Sequence, residues 1–410
     1  MTALSQRIKE DVFQRFPSGV WLMMGLDTFV TMGFSIALPF LALYLHNVRL
    51  VPMSLVGTIF FAGGLCAAIT NIIGGMLSDR FGRRRLLLIV SGASIFAYTA
   101  LALLTGMSAS IWSIALVYVA ARGTIGTIQP TIAAIVADLS PKGRLTESYA
   151  LVRVGGNVGF ALGPAIGGYM MTFLSYGWLL SISAITCLVI TVLIYFFLRE
   201  SFVRSKERVD FRSTLVVAKD RHFLIFIIFG ILLVLSMAHL GSTLSVFTVD
   251  RLGFSTAQYG LLLTTNGIMV VLCQYPVTYG VNKLTKANGL ILGSLLYVCG
   301  YLTLGWVASF NWAILTIVII TAGEVTFSPI ASSVVAESAP PDKRGRYMGF
   351  FALSQTLGFS LSPLFGGVLL DLFPSEPRLL WGIIASVGVI AAIGFYRWGK
   401  MADNNRYLIN

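Results

Sequence analysis

Gly74-Gly75-Met76-Leu77-Ser78-Asp79-Arg80-Phe81-Gly82-Arg83-Arg84-Arg85 is a short, strongly basic turn wedged between two long apolar runs. Flanked in that way, it reads as a tight loop at a membrane surface. Its four arginines assign that surface to the cytoplasmic side, because Lys and Arg resist translocation. Asp79 is the lone acid beside them, at the end of an apolar helix, where a carboxylate can grip a partner and release it.

The rest of the chain has the same character. Of 410 residues, 56% are hydrophobic and 11% charged, and the mean hydropathy is +0.84. A soluble domain carries about a quarter charged residues. The apolar residues come in blocks of roughly 20, the length of a membrane-spanning helix, and not in the alternating ten-residue segments of a barrel. The fold class is therefore an all-α polytopic membrane protein. Twelve spans are expected near 21–45, 53–77, 86–106, 111–137, 148–172, 177–198, 223–248, 258–281, 287–308, 312–336, 347–371 and 380–398. With both termini inside, the cytoplasmic segments hold 24 of the 29 Lys and Arg; Arg49, Arg251 and Arg378 fall in outer loops, and Arg122 and Arg153 within spans (24 + 3 + 2 = 29). That asymmetry accounts for the net charge of +12 without a nucleic-acid partner. Small size and short loops point to a bacterial inner membrane.

Cys66, Cys187, Cys273 and Cys299 all lie in apolar spans and read as small hydrophobes. His46, His222 and His239 are too scattered for a metal site, and no cofactor is expected. The first apolar run lacks a cleavage-like end and stays as the first helix. Ahead of it, Ile8, Val12, Phe13 and Phe16 recur at helical spacing among Arg7, Lys9 and Arg15, which predicts a short interfacial helix.

The longest hydrophilic stretch, Arg199 to His222, divides the spans six and six. The expected domains are an N-terminal bundle (1–198), a cytoplasmic linker (199–222) that is solvated or forms an amphipathic surface helix, and a C-terminal bundle (223–410). The halves repeat: a shift of 199 residues aligns 130–168 with 329–367, and ten of the 39 positions are identical, among them Pro130/Pro329, Gly159/Gly358, Pro164/Pro363, Gly167/Gly366 and Gly168/Gly367. Asp138 meets Glu337. Parallel repeats of six helices imply a pseudo-two-fold axis along the membrane normal and a substrate site between the halves near the midplane.

These features together resemble the major facilitator superfamily over essentially the whole chain. Gly75, Asp79, Arg80, Gly82, Arg83 and Arg84 match its G-x-x-x-D-R-x-G-R-R signature between the second and third helices. The corresponding loop in the second half, Gly280 to Lys286, has Asn282 where the Asp belongs. The resemblance implies a conformational latch, in which Asp79 touches the start of the eleventh helix in the outward-facing state, assisted by Arg344 or Arg346. The alternative is that Asp79 only offsets its arginine neighbours. Arg122-Gly123-x-x-Gly126 resembles the family's second motif and implies a part for Arg122 in proton coupling; a structural hydrogen-bond hub is the other reading. Gly155, Gly159 and Gly163 open one smooth helix face, and with Pro164, Gly167 and Gly168 they resemble the motif of drug:proton exporters.

Two carboxylates lie well inside spans: Asp27 in the first and Glu324 in the tenth. An ionisable group there is a functional-site hypothesis by default. The resemblance supports both as proton sites, with Glu324 also a contact for cationic drugs; simple pairing with Arg122 or Arg153 is the alternative. Asp138 reads as a gate or loop salt-bridge partner, and His239 as a hydrogen-bonded packing residue. The candidate cavity residues are Thr31, Phe34, Gln129, Asn157, Asn266, Gln274, Phe327 and Gln355. Mostly apolar surroundings with a few polar groups suit lipophilic ligands. The expected function is a proton-coupled secondary transporter exporting lipophilic or cationic compounds by alternating access. A nutrient symporter or facilitator on the same fold, or a non-transporting receptor or scaffold, are the alternatives. No nucleotide loop, metal cluster or nucleophile–base constellation suggests an enzyme. The expected partners are a small-molecule substrate, protons and membrane lipid, with the chain a monomer.

Overall fold

The computed structural model describes residues 16–141, 144–200, 216–281, 283–340 and 343–407. The expected interfacial helix, most of the linker and Asn282 lie outside them. The described chain is twelve long helices: α1 (Ser18–Leu43), α2 (Met53–Phe81), α3 (Arg83–Gly106), α4 (Ile111–Leu139), α5 (Leu145–Met170), α6 (Tyr176–Phe197), α7 (Arg221–Met237), α8 (Thr256–Val281), α9 (Lys286–Leu304), α10 (Phe310–Ser338), α11 (Arg344–Leu372) and α12 (Pro377–Tyr407). Helices satisfy their own backbone groups, which hydrocarbon cannot do. Ten of them are long and apolar enough to cross a bilayer. The other two depart for visible reasons. α5 carries Glu147, Arg153 and Asn157, and α7 has only 17 residues.

Local chemistry sets the helix ends. Ser110, Asp220, Thr285 and Ser309 each accept a backbone N–H of the first turn of α4, α7, α9 and α10. The turn between α2 and α3 is the single residue Gly82 at φ 90°, a conformation open to glycine.

The seventh span, expected as one helix over 223–248, is broken. α7 stops at Met237, and after a turn the chain resumes as a single helical turn, Thr243–Val246, and a π-helical turn, Phe247–Arg251. At the break Gly241 lowers helix propensity, and short polar side chains compete for the backbone. His239 sits there fully buried, bonded through Nδ1 to Thr243 Oγ1 (3.0 Å) and Ser362 Oγ (3.2 Å). The twelfth helix overruns the expected 380–398 at both ends, starting at Pro377, a residue suited to a first helical turn, and continuing past the apolar block to Tyr407.

The packing shows the two-fold repeat directly. In the first half α1 packs on α5 and α6, α2 on α4, and α3 on α4 and α6. The second half repeats this with α7 on α11 and α12, α8 on α10, and α9 on α10 and α12. The halves meet mainly along α2–α11 and α5–α8, which the same two-fold exchanges. The repeat extends to charge. Arg83 bonds the Asp138 carboxylate, joining α3 to α4, and Lys286 bonds Glu337 (3.1 Å), joining α9 to α10.

The bundle has two unlike ends. The basic end carries Gly82 and the arginines; the far end carries the start of α2 and the end of α11. The far end is closed. At Gly57 of α2 an added Cβ would lie 2.3 Å from the Pro363 carbonyl oxygen of α11, and at Gly260 of α8 it would lie 2.3 Å from the Pro164 carbonyl oxygen of α5. Phe40 of α1 meets the ring of Tyr259 edge-on. Toward the basic end, the described side-chain bonds between halves stop at Arg153–Ser328, about two turns inside the start of α5.

Candidate functional site

Each half sets one carboxylate inside a span against one carboxamide, Asp27 buried and Glu324 half-buried. Asp27 on α1 is 7% exposed, and its Oδ1 accepts a hydrogen bond from Gln129 Nε2 of α4 (2.8 Å). Its Oδ2 fills the space that a side chain at Gly156 would occupy: a Cβ there would be 2.5 Å away, with Thr31 Oγ1 at 3.6 Å from the same point. Glu324 on α10 accepts from Asn266 Nδ2 of α8 (2.9 Å), and that amide also donates to Thr321 Oγ1 (2.9 Å). Among the described residues, neither carboxylate has a Lys or Arg nitrogen within 4.0 Å. Such a carboxyl can take up or lose a proton without breaking a contact ion pair.

Arg122 is held otherwise than by an acid. Its guanidinium lies 4.6 Å from the centre of the Phe34 ring, bridging α4 to α1, within electrostatic reach of Tyr98 and Tyr118. Both partners are half-buried, so this cation–π contact contributes ~0.5–2 kcal/mol, and it offsets part of the cost of a charge inside a span.

Arg153 is the residue that the sequence left without a role of its own. It extends from α5 across to α10, where Nη2 donates to Ser328 Oγ (3.3 Å), and its charge acts on Glu324. Tyr297 of α9 is also electrostatically coupled to Glu324, and its hydroxyl is buried without a partner among the described residues. An arginine four residues before Asn157, in a span with no acid beyond its first turn, was the available signal.

The other candidates divide. Gln274 donates to the Val325 carbonyl (3.1 Å) and to Thr278, which makes it a tie between α8 and α10. Gln355 on α11 has a buried carbonyl oxygen with no partner among the described residues. Asn157 is half-buried on α5. Phe327 departs from expectation. It is 2% exposed, packs on Phe395 of α12 and covers Gly293 of α9, so it belongs to the interior of its own half. Its three-residue offset from Glu324 turns it about 60° round the helix, enough to exchange the interface for the core.

The glycines of α5 use two faces. Cβ atoms at Gly155, Gly159 and Gly167 would strike the backbone of α1, and one at Gly163 would strike Ser35, whereas one at Gly168 would strike Thr256 of α8. The same helix therefore closes the first half and meets the second, and it runs unbroken through Pro164. In the basic turn, Asp79 is half-exposed and pairs with Arg83 (3.6 Å). The Arg83 and Arg84 N–H groups both point to Glu200 Oε1 (3.0 and 3.4 Å), and Arg80 lies over the Phe81 ring.

The model of the Major Facilitator Superfamily matches residues 20–326 and 228–406. Among curated relatives, the uncharacterized MFS-type transporter YttB of Bacillus subtilis is 25% identical over 85% of this chain and 87% of its own length. A Na(+), Li(+), K(+)/H(+) antiporter of Planococcus maritimus is 24% identical over 82% and 86%. The quinolone resistance protein NorA of Staphylococcus aureus is 23% identical over 89% and 93%. Of solved structures, the nucleoside transporter NupG superposes with a TM-score of 0.79 at 14% identity, covering 94% of this chain and 100% of that one.

Proposed function

Because the chain belongs to the Major Facilitator Superfamily, we propose that it is a proton-coupled exporter of lipophilic or cationic compounds, working from a cytoplasmic basic end. The observation that carries this reading is the pair of carboxylates inside spans, Asp27 buried and Glu324 half-buried, each held by one neutral amide and, among the described residues, without a contacting guanidinium. A relative named as a Na(+), Li(+), K(+)/H(+) antiporter supports exchange as the mode, and one named for quinolone resistance supports a drug as the cargo.

On this reading the far end is external, and the structure is the inward-facing state. A cationic substrate enters from the basic end and binds while the acids are charged. External protons neutralise Asp27 or Glu324, which weakens the cation's hold and lowers the cost of moving the site through the low-dielectric interior. Arg153 adds a state-dependent element. It reaches Glu324 from the opposite half, so relative movement of the halves changes the field at that carboxyl. Substrate and proton must differ in affinity between the two states, or nothing is driven. Arg122 on Phe34 holds α4 to α1 about two turns along from the Asp27–Gln129 pair. The basic turn is read as the outward-state latch, with Asp79 meeting the start of α11.

The test is reconstitution in liposomes with an imposed pH gradient and a panel of lipophilic cations together with Na+ and K+. Gradient-driven movement of a lipophilic cation, abolished by Glu324→Gln, supports the proposal. Movement of Na+ or K+ alone assigns the chain to alkali-cation exchange. Uptake that rises with external acid reverses the direction to symport.

A further inference from the structure

We propose that Asp371 is the latch of the far end, the counterpart of Asp79 on the partner helix. α2 begins after Pro52, whose ring offers no capping acceptor, and the helix has no side-chain cap of its own. Its first two N–H groups instead donate across the interface to Asp371 near the end of α11, Met53 N to Oδ1 (2.9 Å) and Ser54 N to Oδ2 (2.7 Å). One carboxylate from the second half thus caps a helix of the first, where charge-assisted bonds and the helix dipole act together. A second tie lies beside it. His46 donates from Nδ1 to the Val51 carbonyl (2.9 Å), and its Nε2 lies 3.8 Å from Asp250 of the other half.

α2 and α11 run antiparallel along the interface, and the arrangement is reciprocal. Each carries an acid near its C-terminal end, Asp79 on α2 and Asp371 on α11. Each starts with a residue that provides no side-chain cap, Pro52 for α2 and Lys343 for α11. In this state Asp371 occupies the α2 start, while Asp79 turns back to Arg83. The sequence repeat hides the second latch, because a 199-residue shift places Thr172, not an acid, opposite Asp371. Closing the far end makes the bonds to Asp371, which stays exposed, and opening it leaves the two N–H groups of α2 to water. The latch needs alternating access only; it is independent of the substrate and of proton coupling.

The test is spin-label distance measurement in nanodiscs between Met107→Cys and Ser375→Cys, both exposed at the far end on opposite halves, with the four native cysteines replaced. Asp371→Ala should lower the closed-to-open ratio about fivefold, the effect of losing an N-cap. Asp371→Asn, which keeps one acceptor, should fall between. An unchanged ratio in Asp371→Ala, with normal thermal unfolding, overturns the proposal. Asp79→Asn in the same label pair reports separately on the basic-end latch, so the two readings fail independently.

Discussion

Placing a side chain at Gly57 should open the far end without weakening either half. In Gly57→Ala the new Cβ would stand 2.3 Å from the Pro363 carbonyl oxygen, 2.6 Å from Leu364 Cα and 2.8 Å from the Pro363 carbonyl carbon. An ordinary C···O approach is ~3.3 Å, so the helices must separate by about 1 Å. The obstruction is backbone of α11 and has no rotamer to give. Overpacking of this kind costs ~1–3 kcal/mol. It falls only on the far-closed state, so the closed-to-open ratio should drop roughly 5- to 150-fold. The control is Gly159→Ala, whose Cβ would lie 2.3 Å from the Thr28 carbonyl oxygen within the first half. That clash persists in every transport state. It should lower the unfolding temperature and leave the distance distribution between Met107→Cys and Ser375→Cys unshifted. The assay is spin-label distances and thermal unfolding on both variants. If Gly57→Ala lowers the unfolding temperature as Gly159→Ala does but leaves the distances alone, the α2–α11 contact is not a state-dependent interface and the reasoning fails.

Three more predictions bear on the site and the basic turn. Asn266→Leu removes the only side-chain donor bonded to Glu324 among the described residues; losing a hydrogen bond to a charged group costs ~1.5–3 kcal/mol, so the midpoint of pH-driven transport should move alkaline, and an unmoved pH profile would count against Glu324 as the coupling group. Asp79→Asn should shift the population toward the far-closed state and slow turnover while sparing substrate binding; unchanged labelling of basic-end cysteine probes would reject the outward latch. Asp138→Ala leaves Arg83, which is 7% exposed, with the Ala134 carbonyl and only the longer contact to half-exposed Asp79; thermal unfolding should show a loss of ~1–3 kcal/mol, and no loss would mean that the Arg83–Asp138 pair contributes nothing to the first half.

Much of this was legible in the sequence because the bilayer imposes simple rules. Apolar run length marked the helices, Lys and Arg placement suggested the sidedness, and the 199-residue repeat anticipated the two-fold packing. The acids inside spans stood out because charges there are rare. What stayed hidden depended on contacts between segments distant in sequence. The partners Gln129 and Asn266 were named as cavity residues, yet nothing in the sequence paired them with Asp27 and Glu324. Phe327 looked like a cavity residue because spacing along one helix does not say which neighbour that face meets. Arg153 acts on the opposite half, and Asp371 caps a helix 318 positions away in the chain. The break after Met237 was masked by an apolar run long enough for a full span.

The most direct test of the account is proton counting. Vesicles containing the protein and an internal pH-sensitive dye, held under an inward proton gradient, are loaded with a transported lipophilic cation. The account predicts that cation leaving is matched by acidification inside, and that Asp27→Asn combined with Glu324→Gln abolishes the acidification while cation binding to the protein stays measurable. Cation export with unchanged proton entry in that double variant would contradict it.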